Sequence, residues 1–415
     1  MKVLLTDGSS LAARQAAVQL AAAGHWMEAV DANLNCLCRF TGHVGRIHRV
    51  PRFGRDPLGW LDATLSVYEA GRFDAVLPTH EQAAVLASAP NSLHRAGVIT
   101  AVAPFAAVRA LQDKLAAFQT LRHVGLPQPA SAVHTAGWDR FPAYVKTPIG
   151  TASGGVQVVA SHRELDRYAA GDEPVLVQQA CRGRLVMCQS VFDRGALVAF
   201  HANLRTREAL RGGASHKLSI EIPDVMAWMQ QLGGHLRWHG ALSADVILTE
   251  EGPLFIDINP RLVEPANAWR SGVDLVDALL RVAHGAPGAG QPLGRPGVAT
   301  HQLLLAVLGA AHADRPRRAI LRELLHATRR VGGYRDSQEE LTPLRGDWMG
   351  VAPVVVAAAA GVVWPVAARK LVAQAVDSYC LTPQAWAQIQ RSAACEPVHG
   401  DRHCGATGET DECAG

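Results

Sequence analysis

Between Leu242 and Arg261 the sequence LSADVILTEEGPLFIDINPR alternates between apolar and polar positions. Ala244, Val246, Leu248, Leu254, Ile256 and Ile258 fill the even positions. Ser243, Asp245, Asp257 and Asn259 stand at odd ones, with Ile247 and Phe255 as apolar exceptions. Period-two alternation on both sides of Glu250-Glu251-Gly252 predicts a β-hairpin with a three-residue loop and Gly252 in the left-handed region. With Thr249 opposite Pro253, Asp245 faces Asp257, their Cβ atoms roughly 4.5–5.5 Å apart. Asn259 shares that face. Two facing carboxylates and an amide are hard oxygen ligands of the kind Mg²⁺ takes. The alternative is a solvated outer face of an antiparallel sheet, and the facing acids favour the cation site. Arg261 follows, a planar fork suited to a phosphate or carboxylate.

The remaining pattern predicts an α/β chain. Lys2–Thr6 reads as a short strand, the segment to Ala23 as a helix ended by Gly24, and Met27–Ala32 as the next strand, which together indicate a parallel unit. Asp74–Pro78 and Gly97–Ala101 extend that sheet. His80-Glu81 falls at a strand's C-terminal end, where open α/β sheets bind ligands, or else at a helix start. Ala110–Leu121 is an amphipathic helix carrying Lys114. In Ala143–Val159 two apolar strands flank a loop with Gly150, Ser153, Gly154 and Gly155, whose backbone N–H groups can close around phosphate, with Lys146 as a point charge. The spacing excludes a Walker P-loop, and the first turn is not a dinucleotide fingerprint. Val175–Gln178 and Val186–His201 are strand-like. Arg205–Lys217 reads as a basic, glycine-bearing loop before a helix Val225–Trp238, with Arg207 and Lys217 as substrate or phosphate contacts or as plain surface charges.

Asp245, followed twelve residues on by Asp257-Ile-Asn259-Pro-Arg261, resembles the metal and phosphate segment of the ATP-grasp superfamily. Asp113-Lys114 with Val124-Gly-Leu-Pro-Gln-Pro129 is similar to that family's opening helix, and Lys146 with its glycine turn to its lid. The resemblance implies an α+β ATP-grasp fold behind a parallel α/β pre-ATP-grasp domain. It implies ATP on Lys114, Lys146, Ser153, Gly154, Gly155, Gln178, Gln179 and Cys181, and Mg²⁺ (or Mn²⁺) on Asp245, Asp257 and Asn259. Arg261, Arg207 and Lys217 become the catalytic cations; His80, Glu81 and Glu264 the substrate side. An acidic residue common in the family is absent at Gln178 or Gln179, and another at Arg184 or Leu185. The implied activity is an ADP-forming carboxylate–amine ligase for small molecules. Val263-Glu264-Pro265 with Ser271–Leu275 resembles biotin carboxylase, one residue shorter, which keeps bicarbonate activation open. A degenerate nucleotide-binding subunit is the third alternative.

The expected domains are 1–105, 106–290 (lid about 140–185), a mainly helical 291–395 after the Gly/Pro-rich Gly285–Gly297, and a disordered tail 396–415. The helical region packs on the sheet or makes a homodimer surface. At 415 residues and 48% hydrophobic, the chain can build two or three cores. A net charge of +3 implies no nucleic-acid partner. Scattered cysteines and a start without a signal peptide point to the cytoplasm. The eighteen uncharged residues Val351–Ala368 contain two prolines, so a buried helix or a membrane-surface contact is expected rather than a span. Cys395, His399, His403, Cys404 and Cys413 match no zinc spacing.

Overall fold

Lys2–Leu5 (β1) is apolar enough to be buried on both faces, as an inner parallel strand must be. In the computed structural model β1 lies between β2 (Trp26–Asp31) and β4 (Ala75–Leu77), with β3 (Val44–Arg49) outside β2, all parallel. The structure describes residues 1–133, 135–151, 154–169, 174–209, 213–341, 347–364, 376 and 378–395. Gly97–Ala101 is not a fifth strand; only the Ile99 carbonyl joins the sheet edge, accepting from the Val76 amide at 2.9 Å.

Asp113 breaks the expected helix in two. Its carboxylate accepts from the amides of Leu115 and Ala116, starting a new helix at Lys114 that runs to Val124. A small antiparallel sheet follows, of β5 (Ser131–Ala132), β6 (Ala143–Lys146), β7 (Val156–Val159) and β8 (Leu176–Gln179), in the order β5-β8-β6-β7.

The central sheet contains β9 (Arg184–Asp193), β10 (Ala196–Glu208), β11 (Ala214–Ile220), β12 (Gly240–Thr249), β13 (Gly252–Asn259), β14 (Ala299–His301) and β15 (Gln338–Glu339). Its order is β13-β12-β9-β10-β11-β14-β15. The basic stretch Arg205–Lys217 is thus not one loop. Arg205 and Arg207 lie near the end of β10 and Lys217 lies within β11, because buried Leu204 pairs with partly buried Leu218 across the two strands.

In the C-terminal region the helices Leu303–Ala310, Pro316–Arg329 and Ala352–Val363 share a cluster around Val307, Ile320 and Ala357. The apolar stretch therefore supplies a packed helix as far as Val363, and its outer face leaves Val355 and Val363 exposed. Among the described residues no helix is long and apolar enough to cross a membrane. A fully buried ion pair, Arg14 to Asp347 at 2.5 Å, ties this region to the first domain. Asp347 also accepts from the Thr41 hydroxyl and the Gly42 amide, so both charges are embedded in a network. The tail from residue 396, with its cysteines and histidines, lies outside the described residues.

Candidate functional site

Asp245 and Asp257 do face one another across β12 and β13, but by a route the alternation conceals. The turn is one residue tighter than expected: Thr249 pairs with Gly252, which takes φ +127°. That register would set Asp245 against Ile256. A β-bulge between Asp245 and Val246 restores the match, leaving Ile256 as the extra residue. Val246 and Phe255 become a fully buried pair, while the two aspartates and Asn259 line the cleft.

The bulge also frees a carbonyl. Lys146, on β6, donates to the Ile256 carbonyl at 2.6 Å and to Gln178 Oε1 at 2.8 Å. It is buried, and that burial, assisted by Lys114, lowers its pKa against the pull of Asp257 and Asp245. Burial, then Asp257, pushes the Asp245 carboxyl up to about 7. Two carboxylates packed this way carry excess negative potential, and with the Asn259 amide they form a donor set that fits a divalent cation. Arg261 is held beside them, its Nε to Glu81 Oε1 and its Nη2 to Asn259 Oδ1, each at 3.1 Å.

Glu81 is the junction between domains. It also accepts from Gln112 at 3.0 Å and from the Thr151 hydroxyl at 3.2 Å. Its neighbour His80 packs against Tyr379 with ring centroids 4.1 Å apart and the ring planes tilted by 49°. Burial and Arg261 hold the His80 imidazole well below its ordinary pKa, so it is neutral.

These residues open on one cleft of about 900 Å³. Lys114, whose ammonium donates to the Gly150 carbonyl, lines it together with Lys146, Gly154, Gln178, Gln179 and Cys181. Gly155 turns the loop at φ +77°, its carbonyl accepting from the Thr147 amide, and a Cβ there would strike the Thr147 side chain. Ser153 lies outside the described residues. Tyr144 and Val158 from the small sheet, with Leu185, Met187, Ile247 and Ile256 from the central one, give the cleft an apolar slot. Ile247, an exception in the alternation, belongs to that slot. Asn203 and Arg205 also line the cleft, and sequence reading passed over Asn203 because a single buried amide in a strand carries no pattern.

Two expected cations are placed otherwise. Arg207 forks onto Glu323 at 2.5 and 2.6 Å and does not line the cleft. Lys217 is fully buried between Glu264 at 2.5 Å and Glu340 at 2.7 Å, and these acids raise its pKa against desolvation. Glu264 itself reaches the cleft, strained at φ +31°, with Gln302 donating to the same oxygen that Lys217 holds. These three acids lie 116, 47 and 123 residues along the chain from their cations, so nothing in the basic stretch announces them.

Comparison with known proteins agrees with this architecture. Residues 111–265 match the family described as the ATP-grasp domain. The chain is similar to the biotin carboxylase domain of 2-oxoglutarate carboxylase from Hydrogenobacter thermophilus, solved with MgADP, ADP and bicarbonate (14% identity, 72% of this chain and 73% of that one, TM-score 0.57). Carboxyaminoimidazole ribonucleotide synthase from Aspergillus clavatus, complexed with ATP, is similar at 15% identity over 73% and 81%, TM-score 0.56. The N5-carboxyaminoimidazole ribonucleotide synthetase of Thermus thermophilus is similar at 18% identity over 80% and 99%, TM-score 0.56. No curated protein sequence matches the chain. With the parallel sheet in front, the paired aspartates on the hairpin and the lysine beneath the glycine turn, the chain has the ATP-grasp superfamily fold, residues 111–265 being the part that the family matches.

Proposed function

We propose that the cleft is the active site of an ADP-forming ligase that activates a carboxylate with ATP and joins it to an amine. The single observation that carries this is the Asp245–Asp257 pair on the cleft floor, with Lys146 seated under the same bulge and Arg261 beside Asn259. Lys114, Lys146 and the Gly154-Gly155 turn hold the phosphates. The apolar slot takes the base, with the chain at Gln178–Cys181 along its edge. Asp245, Asp257 and Asn259 would hold Mg²⁺ or Mn²⁺, which when bound neutralises phosphate charge.

A carboxylate oxygen of the acid attacks the γ-phosphorus and the bond to the ADP oxygen breaks, giving an acyl phosphate. Arg261 stabilises the charge on the transferring group, and Glu81 keeps its guanidinium aimed. The amine then attacks the acyl carbon, losing a proton as phosphate departs. Positioning and charge complementarity supply most of the rate, because phosphoryl transfer asks for little covalent chemistry from the protein. Glu264, in reach of the cleft and held by Lys217 and Gln302, is placed on the acceptor side. The buried unpaired thiols Cys36, Cys38 and Cys188 are consistent with a cytoplasmic enzyme.

The test is Mg²⁺-dependent phosphate release from ATP across pools of acids and amines, with bicarbonate included and products followed by mass. Release that needs both an acid and an amine, with a condensed product, is expected. Release on bicarbonate alone would replace the ligase with a carboxylating activity. ATP binding without release under any condition would leave a nucleotide-binding subunit.

A further inference from the structure

The charged side chains that line the cleft come from its two sheets, from the helix start at Lys114 and from the segment after β13 that carries Arg261 and Glu264. The wall contributed by the first domain's Leu37 and Phe40, and by Leu305, Leu308 and Val356 of two C-terminal helices, bears no formal charge. These two sources meet: Leu37 packs on the same cluster as Leu305 and Leu308. Val356 is 54% exposed although the adjacent Ala357 is buried and also lines the cleft. An apolar wall left open beside a catalytic floor is a surface that gains by being covered. A charged substrate group laid against these five side chains would lose hydration with no ion-pair partner among them. The volume, near the upper end for ligand clefts, leaves room for an acceptor beside a nucleotide.

Building on the ligase reading above, we propose that the acid activated here is a monocarboxylic acid with an apolar tail. Its aliphatic or aryl chain lies against Leu37, Phe40, Leu305, Leu308 and Val356, and its carboxylate points to Arg261. The acid rather than the amine takes this wall because the phosphoryl acceptor has to sit nearest the Asp245–Asp257 floor, and Arg261 and Glu264 line the same cleft as the wall. Leu305 and Leu308, one turn apart on their helix, present a face with which a flexible chain makes successive methylene contacts.

The full chain, with ADP and Mg²⁺ present, is titrated calorimetrically with butanoate, hexanoate, octanoate, 3-phenylpropanoate and succinate. Binding at one site per chain is expected to tighten about fourfold per added methylene, with no binding of succinate. Val356→Asp, at an exposed position that does not threaten the fold, is expected to weaken octanoate at least tenfold and leave ADP affinity unchanged. Affinity independent of chain length, succinate binding tighter than hexanoate, or octanoate binding unaltered in Val356→Asp would each overturn the proposal. Phosphate release from ATP with the same acids and an amine pool separates the two ideas. Length-dependent binding without release would sink the ligase and leave the apolar acid site standing. Release with succinate but not with hexanoate would keep the ligase and sink the apolar site.

Discussion

The Lys146 ammonium sits 2.6 Å from the carbonyl of Ile256, the one residue of its hairpin that the bulge leaves out of register. The bulge and the lysine are therefore one device: the extra residue turns a backbone acceptor into the cleft, and Lys146 is fixed by it within range of both aspartates. Lys146→Ala is expected to abolish ATP turnover, reducing phosphate release by 10³-fold or more, while the circular dichroism spectrum stays native. Turnover within tenfold of the parent would remove Lys146 from the phosphate site.

Asp257→Asn keeps the shape of the floor and removes half its charge. We expect loss of Mg²⁺-dependent turnover together with a rise in thermal stability of the metal-free protein at pH 8, because the like-charge contact with Asp245 disappears. A variant that retains activity would show that the cation sits elsewhere.

Lys217 and Arg207 should separate cleanly. Lys217→Met strands Glu264 and Glu340 against each other in the interior, and a loss of about 3–5 kcal/mol in denaturant unfolding is expected. Arg207→Gln, whose partner Glu323 also accepts from Tyr334, should cost less stability and leave phosphate release within a few-fold of the parent. A large activity loss in Arg207→Gln with unchanged stability would return that arginine to the site.

His201, His216 and His301 predict an acid limb in stability. Burial lowers each to about 4, helped by Lys217, by Arg207 and by His216 respectively. Their folded values lie below the unfolded value near 6.5, so the unfolded chain binds more protons between those limits. Their stabilising contribution is complete above pH 6.5 and is lost as pH falls through about 4. Denaturant midpoints measured from pH 7.5 to 4 should fall steadily across this window. A midpoint that holds level to pH 4.5 would contradict the burial of these rings.

The Arg14–Asp347 pair gives a further check. Asp347→Ala leaves a guanidinium buried without its partner, and a destabilisation of about 3–5 kcal/mol is expected. Arg14→Met combined with Asp347→Leu should recover a good part of it, as measured by urea unfolding. No recovery would mean that the bonds of Asp347 to Thr41 and Gly42, rather than the charge pair, hold the contact.

Much of the floor was legible in the sequence because strand alternation is a local signal. The pairing of Asp245 with Asp257 followed from it, and the exception Phe255 was the trace of the bulge: a residue of the wrong parity that packs inward opposite Val246. Alternation alone cannot distinguish a three-residue loop from a two-residue loop followed by a bulge, since both end in the same register. The lysines at 114 and 146 were legible from their settings, a capped helix start and a strand before glycines. The fates of Arg207 and Lys217 were not, because an ion pair is decided by which acid arrives from elsewhere. Glu323 and Glu340 come from the helical region whose sequence announced no chemistry. The apolar wall was hidden for the same reason: Leu37 and Leu305 carry no motif, and only the fold makes them neighbours.

The contact between Arg14 and Asp347 joins residues 333 apart along the chain. During synthesis the four strands of the first sheet have all emerged by Leu77, and the hairpin with its aspartates by Asn259. The helices that supply the apolar wall of the cleft come after both, so that wall is translated after the floor. Arg14 therefore stays without its counter-charge until residue 347 has been made, and the seam between the first sheet and the C-terminal helices can close only then.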